Sequence, residues 1–96
     1  MLFALLCTDK PNSIDLRLSI RPDHLAHLDA LGDSLKAAGP FLDEAGNPCG
    51  SLVIIEAANR AEAERLAAAD PYAQSGLFSS VEVKPWKWVF KNPDIG

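Results

Sequence analysis

Hydrophobic and polar residues alternate along the chain in blocks that change period several times. Leu2 to Cys7 is a continuous apolar run closed by Thr-Asp-Lys-Pro-Asn-Ser, the pattern of a strand buried on both faces and followed by a loop. Pro22 suits the first turn of a helix, and leucines at 25, 28, 31 and 35 carry it to Ala38, where Gly39-Pro40 stops it. Phe41 to Ala45 then predicts a strand, Gly46-Asn47-Pro48 a turn, and Ser51 to Ala57 a second strand rich in branched residues, so that the two form a hairpin. Asn59 reads as the N-cap of a helix running to about Ala69, with Glu62 completing a capping-box-like pair. After Asp70-Pro71-Tyr72 and a stop at Gly76, Leu77 to Phe90 predicts the last strand, with Pro85 marking an edge or a bulge.

The order is βαββαβ in one domain, 1–96, and its usual packing is α+β. Two helices lie on one face of a four-stranded antiparallel sheet in the spatial order 4-1-3-2, the ferredoxin-like fold. Such a sheet should turn polar residues outward on its open face. The first strand is instead apolar at Leu2, Ala4 and Leu6 and equally at Phe3, Leu5 and Cys7, and Leu52, Val53, Ile54 and Ile55 repeat this in the third. Something apolar must cover the face the helices leave open. A second copy related by a two-fold axis is the economical answer, giving a homodimer built as a dimeric α/β barrel and leaving room for higher assembly. Length points the same way, since a 96-residue chain buries only about 64% of its unfolded surface.

Composition narrows the partners. Hydrophobic residues at 48% and charged residues at 23% exclude disorder and low complexity. A net charge of −4 repels phosphate backbones and anionic lipid surfaces, so neither nucleic acid nor a membrane is an expected partner. Lysines 84, 87 and 91 interleaved with Trp86, Trp88 and Phe90 suggest nucleic-acid stacking in isolation, but against that acidity the aromatic face reads as core or dimer packing. The opening apolar run is too short for a membrane span and lacks the basic start of a signal peptide. Cys7 and Cys49 match no disulfide framework or metal spacing and read as reduced, cytoplasmic thiols. No Gly-rich phosphate loop is present, so no nucleotide cofactor is indicated. Asp23, His24 and His27 make no convincing metal triad, and none is expected.

The histidines are the residues most able to carry chemistry. At 100° per residue with His24 at zero, Leu28 lies at about 40°, Leu31 at about −20° and Leu35 at about 20°, so His24 points along the apolar stripe. His27, at about −60°, lies on its margin. Topology brings Asp70 to the same end of the sheet as His24. A carboxylate beside an imidazole fixes its tautomer and makes a proton acceptor of it, the minimum kit for proton transfer. The plainer readings are a core-rim histidine bonded to a backbone carbonyl and an Asp70 that caps the turn opened by Pro71; one carboxylate can serve both roles. As substrate-binding candidates, Asp9 (with Lys10) closes the first strand at that end, although Asp-Lys-Pro-Asn is also ordinary loop sequence. Arg21 is placed to clamp a substrate carboxylate or to pair with a surface acid. Ser51 begins the third strand with no nucleophile elbow around it, which argues against a covalent serine mechanism.

Several segments in order resemble a known family. Arg-Leu-Ser-Ile-Arg-Pro-Asp-His-Leu (17 to 25), Ala-Gly-Pro (38 to 40), Gly-Ser-Leu-Val-Ile (50 to 54), Ala-Asp-Pro-Tyr (69 to 72), Gly-Leu-Phe (76 to 78) and Val-Lys-Pro-Trp (83 to 86) are similar to the YciI-like, or YCII-related, family of small bacterial proteins. The resemblance implies a dimeric ferredoxin-like α/β barrel with an active site centred on a His and Asp pair, which fall here on His24 and Asp70. Similarity of that family to muconolactone-isomerase-like barrels and to dehydrochlorinase relatives implies proton shuttling on small ring compounds. The expected function is therefore isomerisation or elimination on a compact cyclic substrate, with His24 as base and acid and Asp70 as its orienter. The alternative is a non-catalytic ligand-binding or assembly module in which the same two residues only hold the rim of a pocket.

Overall fold

The computed structural model describes residues 1–94. Its elements are β1 (Leu2–Asp9), α1 (Ile14–Ala30), β2 (Leu35–Leu42), β3 (Pro48–Glu56), α2 (Arg60–Ala69), the short α3 (Pro71–Gln74) and β4 (Phe78–Trp86). The strands form one antiparallel sheet in the order β2-β3-β1-β4, which is the expected 4-1-3-2 arrangement. The fold is α+β and ferredoxin-like, as the βαββαβ order required. None of its helices is long and apolar enough to cross a membrane.

Odd-numbered residues of β1 face the helices. Phe3, Leu5 and Cys7 join Val53 and Ile55 from β3, Leu28 from α1 and Ala63 and Ala67 from α2 in the core. Phe3 and Ile55 are fully enclosed, and each such side chain contributes about 2–3 kcal/mol of apolar burial. The other face of the same strands carries Leu2, Ala4 and Leu6, which pair with Glu56, Ile54 and Leu52. This is the apolar surface that the run of hydrophobic residues in β1 predicted.

Element boundaries differ from the sequence reading in instructive ways. The first helix spans Ile14–Ala30, not 22–38, and Pro22 lies inside it. Proline removes one intrahelical bond, the one to the carbonyl of Leu18, and both residues are exposed, so water can solvate that carbonyl. The stop is Gly32, in the left-handed region at φ 58°, and not Gly39-Pro40. Residues 35–38 go to the sheet because β3 offers them a ladder, Leu35 opposite Ile55 and Ala38 opposite Val53, which outweighs alanine's helical preference. Asp43 to Ala45 turn instead of extending, since the Asp43 carboxylate accepts the N–H groups of Ala45 and Asn47. β4 ends at Trp86, not Phe90, because Trp86 already pairs with Leu2 at the start of β1 and no ladder continues beyond it. Phe90 is exposed outside the sheet and packs in no core. Pro40 and Pro85 lie on the two edge strands, where a missing N–H costs no ladder bond.

Asn59 caps α2 as its sequence suggested, accepting the Glu62 N–H at 2.9 Å. Asp70 ends α2 and caps α3, accepting the Tyr72 N–H at 2.9 Å. This double duty fixes the Asp70 carboxylate at the end of the sheet where α1 passes.

Candidate active site

Five polar or charged side chains are buried among the described residues: Asp9, Arg17, His24, Ser51 and Asp70. All five belong to one connected cluster. Burying a charge is costly unless it is paired, so such a concentration needs compensation within itself. Arg17 supplies half of it: Nη1 donates to both Asp9 oxygens at 3.0 Å, and Nη2 donates to Ser51 Oγ at 2.7 Å.

The other half is the imidazole and carboxylate pair. His24 Nδ1 lies 3.0 and 2.9 Å from the two oxygens of Asp70. A carboxylate can only accept, so Nδ1 carries a proton, and in the neutral ring that leaves the lone pair on Nε2. Tyr72 joins the halves. Its ring stacks on the His24 ring at 4.0 Å with 17° between planes, and the Arg17 guanidinium sits 4.6 Å from its centroid. Phe78 meets Tyr72 edge-on at 5.9 Å.

These groups border a cavity of about 200 Å³ between α1 and the sheet, lined by Arg17, Arg21, His24, Ser51 and Tyr72 together with leucines of α1. Arg17, Arg21, His24 and Leu28 fall at i, i+4, i+7 and i+11, one face of the helix. A cavity of about 150 Å³ holds a benzene ring, so this one suits a single substituted ring.

The surroundings also set the behaviour of two neighbouring groups. Burial pushes the Cys7 thiol up to about 12, with the charges of Asp70 and Asp9 adding to it and Arg17 opposing. Burial likewise raises the Tyr72 phenol above its ordinary value, against the pull of Arg17 and Arg21, so it stays protonated at neutral pH. Among the described residues no three His, Cys, Asp or Glu side chains gather as metal ligands.

The structure brings His24 and Asp70 into direct contact and places Arg21 and Ser51 on the cavity wall. Ser51 is held by Arg17, and Asp9 is taken up entirely in pairing Arg17. Arg17 and Tyr72 are the site residues that reading the sequence for chemistry overlooked. Starting the helix at Pro22 left Arg17 in a loop; carried back to Ile14, it stands seven residues before His24 on the same face. Tyr72 was readable only as the residue after a capped Asp-Pro.

An α+β ferredoxin-like domain with a buried histidine and aspartate beside a small cavity defines the class. A sequence model of the YCII-related domain matches residues 1–87, and the chain belongs to that family. It is 41% identical to protein YciI of Escherichia coli O6:H1 over 94% of this chain and all of that protein. An uncharacterized protein of Haemophilus influenzae is 38% identical, again over 94% of this chain and its own full length. Among solved structures, the 5-chloro-2-hydroxyhydroquinone dehydrochlorinase of Burkholderia phenoliruptrix AC1100, in complex with 2,5-dihydroxybenzoquinone, superposes with a TM-score of 0.83 and 32% identity, covering 91% of this chain and 94% of that one. An antibiotic biosynthesis monooxygenase shares only the fold, at a TM-score of 0.53 and 18% identity over 91% of this chain and 99% of that one.

Proposed function

We propose that this protein is a small proton-transfer enzyme acting on a compact oxygenated ring, by elimination of the dehydrochlorinase kind or by isomerisation. His24 is the base and then the acid, working through Nε2, and Asp70 holds it in the productive tautomer. One observation carries the reading: an imidazole tied through Nδ1 to a buried carboxylate borders a cavity sized for one ring. The likeness to a dehydrochlorinase that holds a dihydroxybenzoquinone supports elimination on such a ring. Arg21 and Ser51 line the cavity and serve substrate binding, while Asp9 keeps Arg17 in place. No step calls for a metal or an organic cofactor.

A second copy covers the apolar sheet face of Leu2, Leu6 and Leu52 in this proposal, making the homodimer that the strand pattern calls for. Two unpaired cysteines support a reducing, cytoplasmic setting.

The test is solvent exchange of the ring protons of 2,5-dihydroxybenzoquinone in deuterium oxide, followed by proton NMR. The protein should accelerate exchange, and His24→Ala should abolish the acceleration, a general base being worth about 10²–10⁴ in rate. Equal exchange with and without protein, or an active His24→Ala, would overturn the reading. Chloride release from 5-chloro-2-hydroxyhydroquinone then separates elimination from isomerisation.

A further inference from the structure

Tyr72 is 1% exposed, yet its hydroxyl makes no hydrogen bond among the described residues. Among the described residues every sealed polar side-chain atom has a partner, so this oxygen is not sealed. It keeps its remaining accessible surface, and Tyr72 is a wall of the cavity that His24 borders. The ring is held in place by stacking on His24, by the Arg17 guanidinium and by an edge contact from Phe78. A phenol without a partner in the protein donates to whatever reaches its oxygen, whether water or a ligand in the cavity.

From this geometry we infer that the Tyr72 hydroxyl is a catalytic hydrogen-bond donor to a ring oxygen of the substrate, acting from the same wall of the cavity as the His24 base, on whose ring its own ring stacks. The inference rests on the proton-transfer reading above and narrows its substrate: the ring must carry a carbonyl or enol oxygen conjugated with the carbon that loses its proton. In the step, the C–H bond breaks and the proton passes to His24 Nε2. The released electron pair forms a carbon–carbon double bond, and the carbonyl π pair moves onto the ring oxygen. Tyr72 keeps its own proton and donates it as a hydrogen bond to that oxygen, with more strength as charge builds there. Its raised pKa suits this task, because the phenol remains a donor throughout the neutral range.

Tyr72 is the only tyrosine in the chain, which makes it observable by itself. The experiment uses 2,5-dihydroxybenzoquinone as probe, with wild-type protein carrying tyrosine labelled with carbon-13 at Cζ and with Tyr72→Phe, which keeps the ring stack and removes only the oxygen. Binding should shift the single Cζ resonance. Tyr72→Phe should bind the probe about tenfold more weakly and lose ring-proton exchange by a larger factor in kcat than in KM. If the wild type binds the probe but the resonance stays put, or if Tyr72→Phe binds and exchanges within twofold of wild type, the inference fails while the proton-transfer reading stands. If the wild type neither binds the probe nor exchanges its protons, both fall. The Cζ measurement decides the matter even if the variant does not fold.

Discussion

Asp70→Asn isolates what the carboxylate does for the imidazole. In the native protein Asp70 accepts the Tyr72 N–H at 2.9 Å while its oxygens face His24 Nδ1 at 2.9 and 3.0 Å. An asparagine keeps one oxygen for the Tyr72 N–H, so the cap of α3 survives. Its amide nitrogen then takes the place of the oxygen at 2.9 Å and presents a hydrogen to Nδ1. With the oxygen at 3.0 Å engaged by the Tyr72 N–H, the amide hydrogen at 2.9 Å favours a lone pair on Nδ1, so the ring proton moves to Nε2 and the lone pair turns away from the cavity. The stability loss should be modest, about 1–2 kcal/mol, the difference between charge-assisted and neutral bonds at a retained geometry. The loss of rate should be severe: an Asp→Asn change that reverses a catalytic imidazole's tautomer costs about 10⁴ in serine hydrolases. Long-range nitrogen–proton correlation on the histidine rings reads the tautomer directly, with the half-buried His27 as internal reference. Wild-type His24 protonated on Nε2, or an unchanged tautomer in Asp70→Asn, would refute the reasoning. A variant with the reversed tautomer and undiminished turnover would separate Asp70 from the chemistry altogether.

Three further outcomes are expected. Arg17→Met leaves Asp9 buried without its partner and should cost about 3–5 kcal/mol in denaturant unfolding, most of it recovered in the double variant Arg17→Met with Asp9→Asn; a single variant as stable as wild type would show the pair to be dispensable. The folded protein holds the Cys7 proton to about 12 whereas an unfolded thiol releases it near 9.0, so the thiol's contribution is complete below pH 9 and is lost as pH rises toward 12. Unfolding free energy should therefore drop by about 1 kcal/mol between pH 8 and 10 in wild type and less in Cys7→Ala, whereas parallel pH curves would refute the assignment. Leu52→Glu places a charge on the uncovered sheet face and should convert a dimer to a monomer by sedimentation; a wild type that already sediments as a stable monomer would sink the proposed covering copy.

Much of this molecule was legible along the chain. The doubled apolar pattern of residues 2 to 7 and 52 to 55 announced a sheet that is apolar on both faces. Asn59 and Asp70 announced their caps through side-chain chemistry that acts over two or three residues. The βαββαβ order placed His24 and Asp70 at one end because right-handed connections leave few alternatives. Such signals survive in a bare sequence because they are local, or because topology has few solutions.

Only the tertiary structure decided the rest. Residues 35 to 38 joined the sheet because ladder bonds to β3 outweighed helical preferences of a fraction of a kcal/mol per residue, and Pro22 stayed inside α1, against a cost of about 3 kcal/mol, because the helix buries Arg17, His24 and Leu28 on either side of it. Arg17 became a site residue through Asp9, Ser51 and Tyr72, which come from three other parts of the chain. The unmatched hydroxyl of Tyr72 became visible only once everything around it had been placed. Whether a buried polar group is satisfied depends on all of its neighbours at once, and neighbours brought together from across the chain are what folding creates.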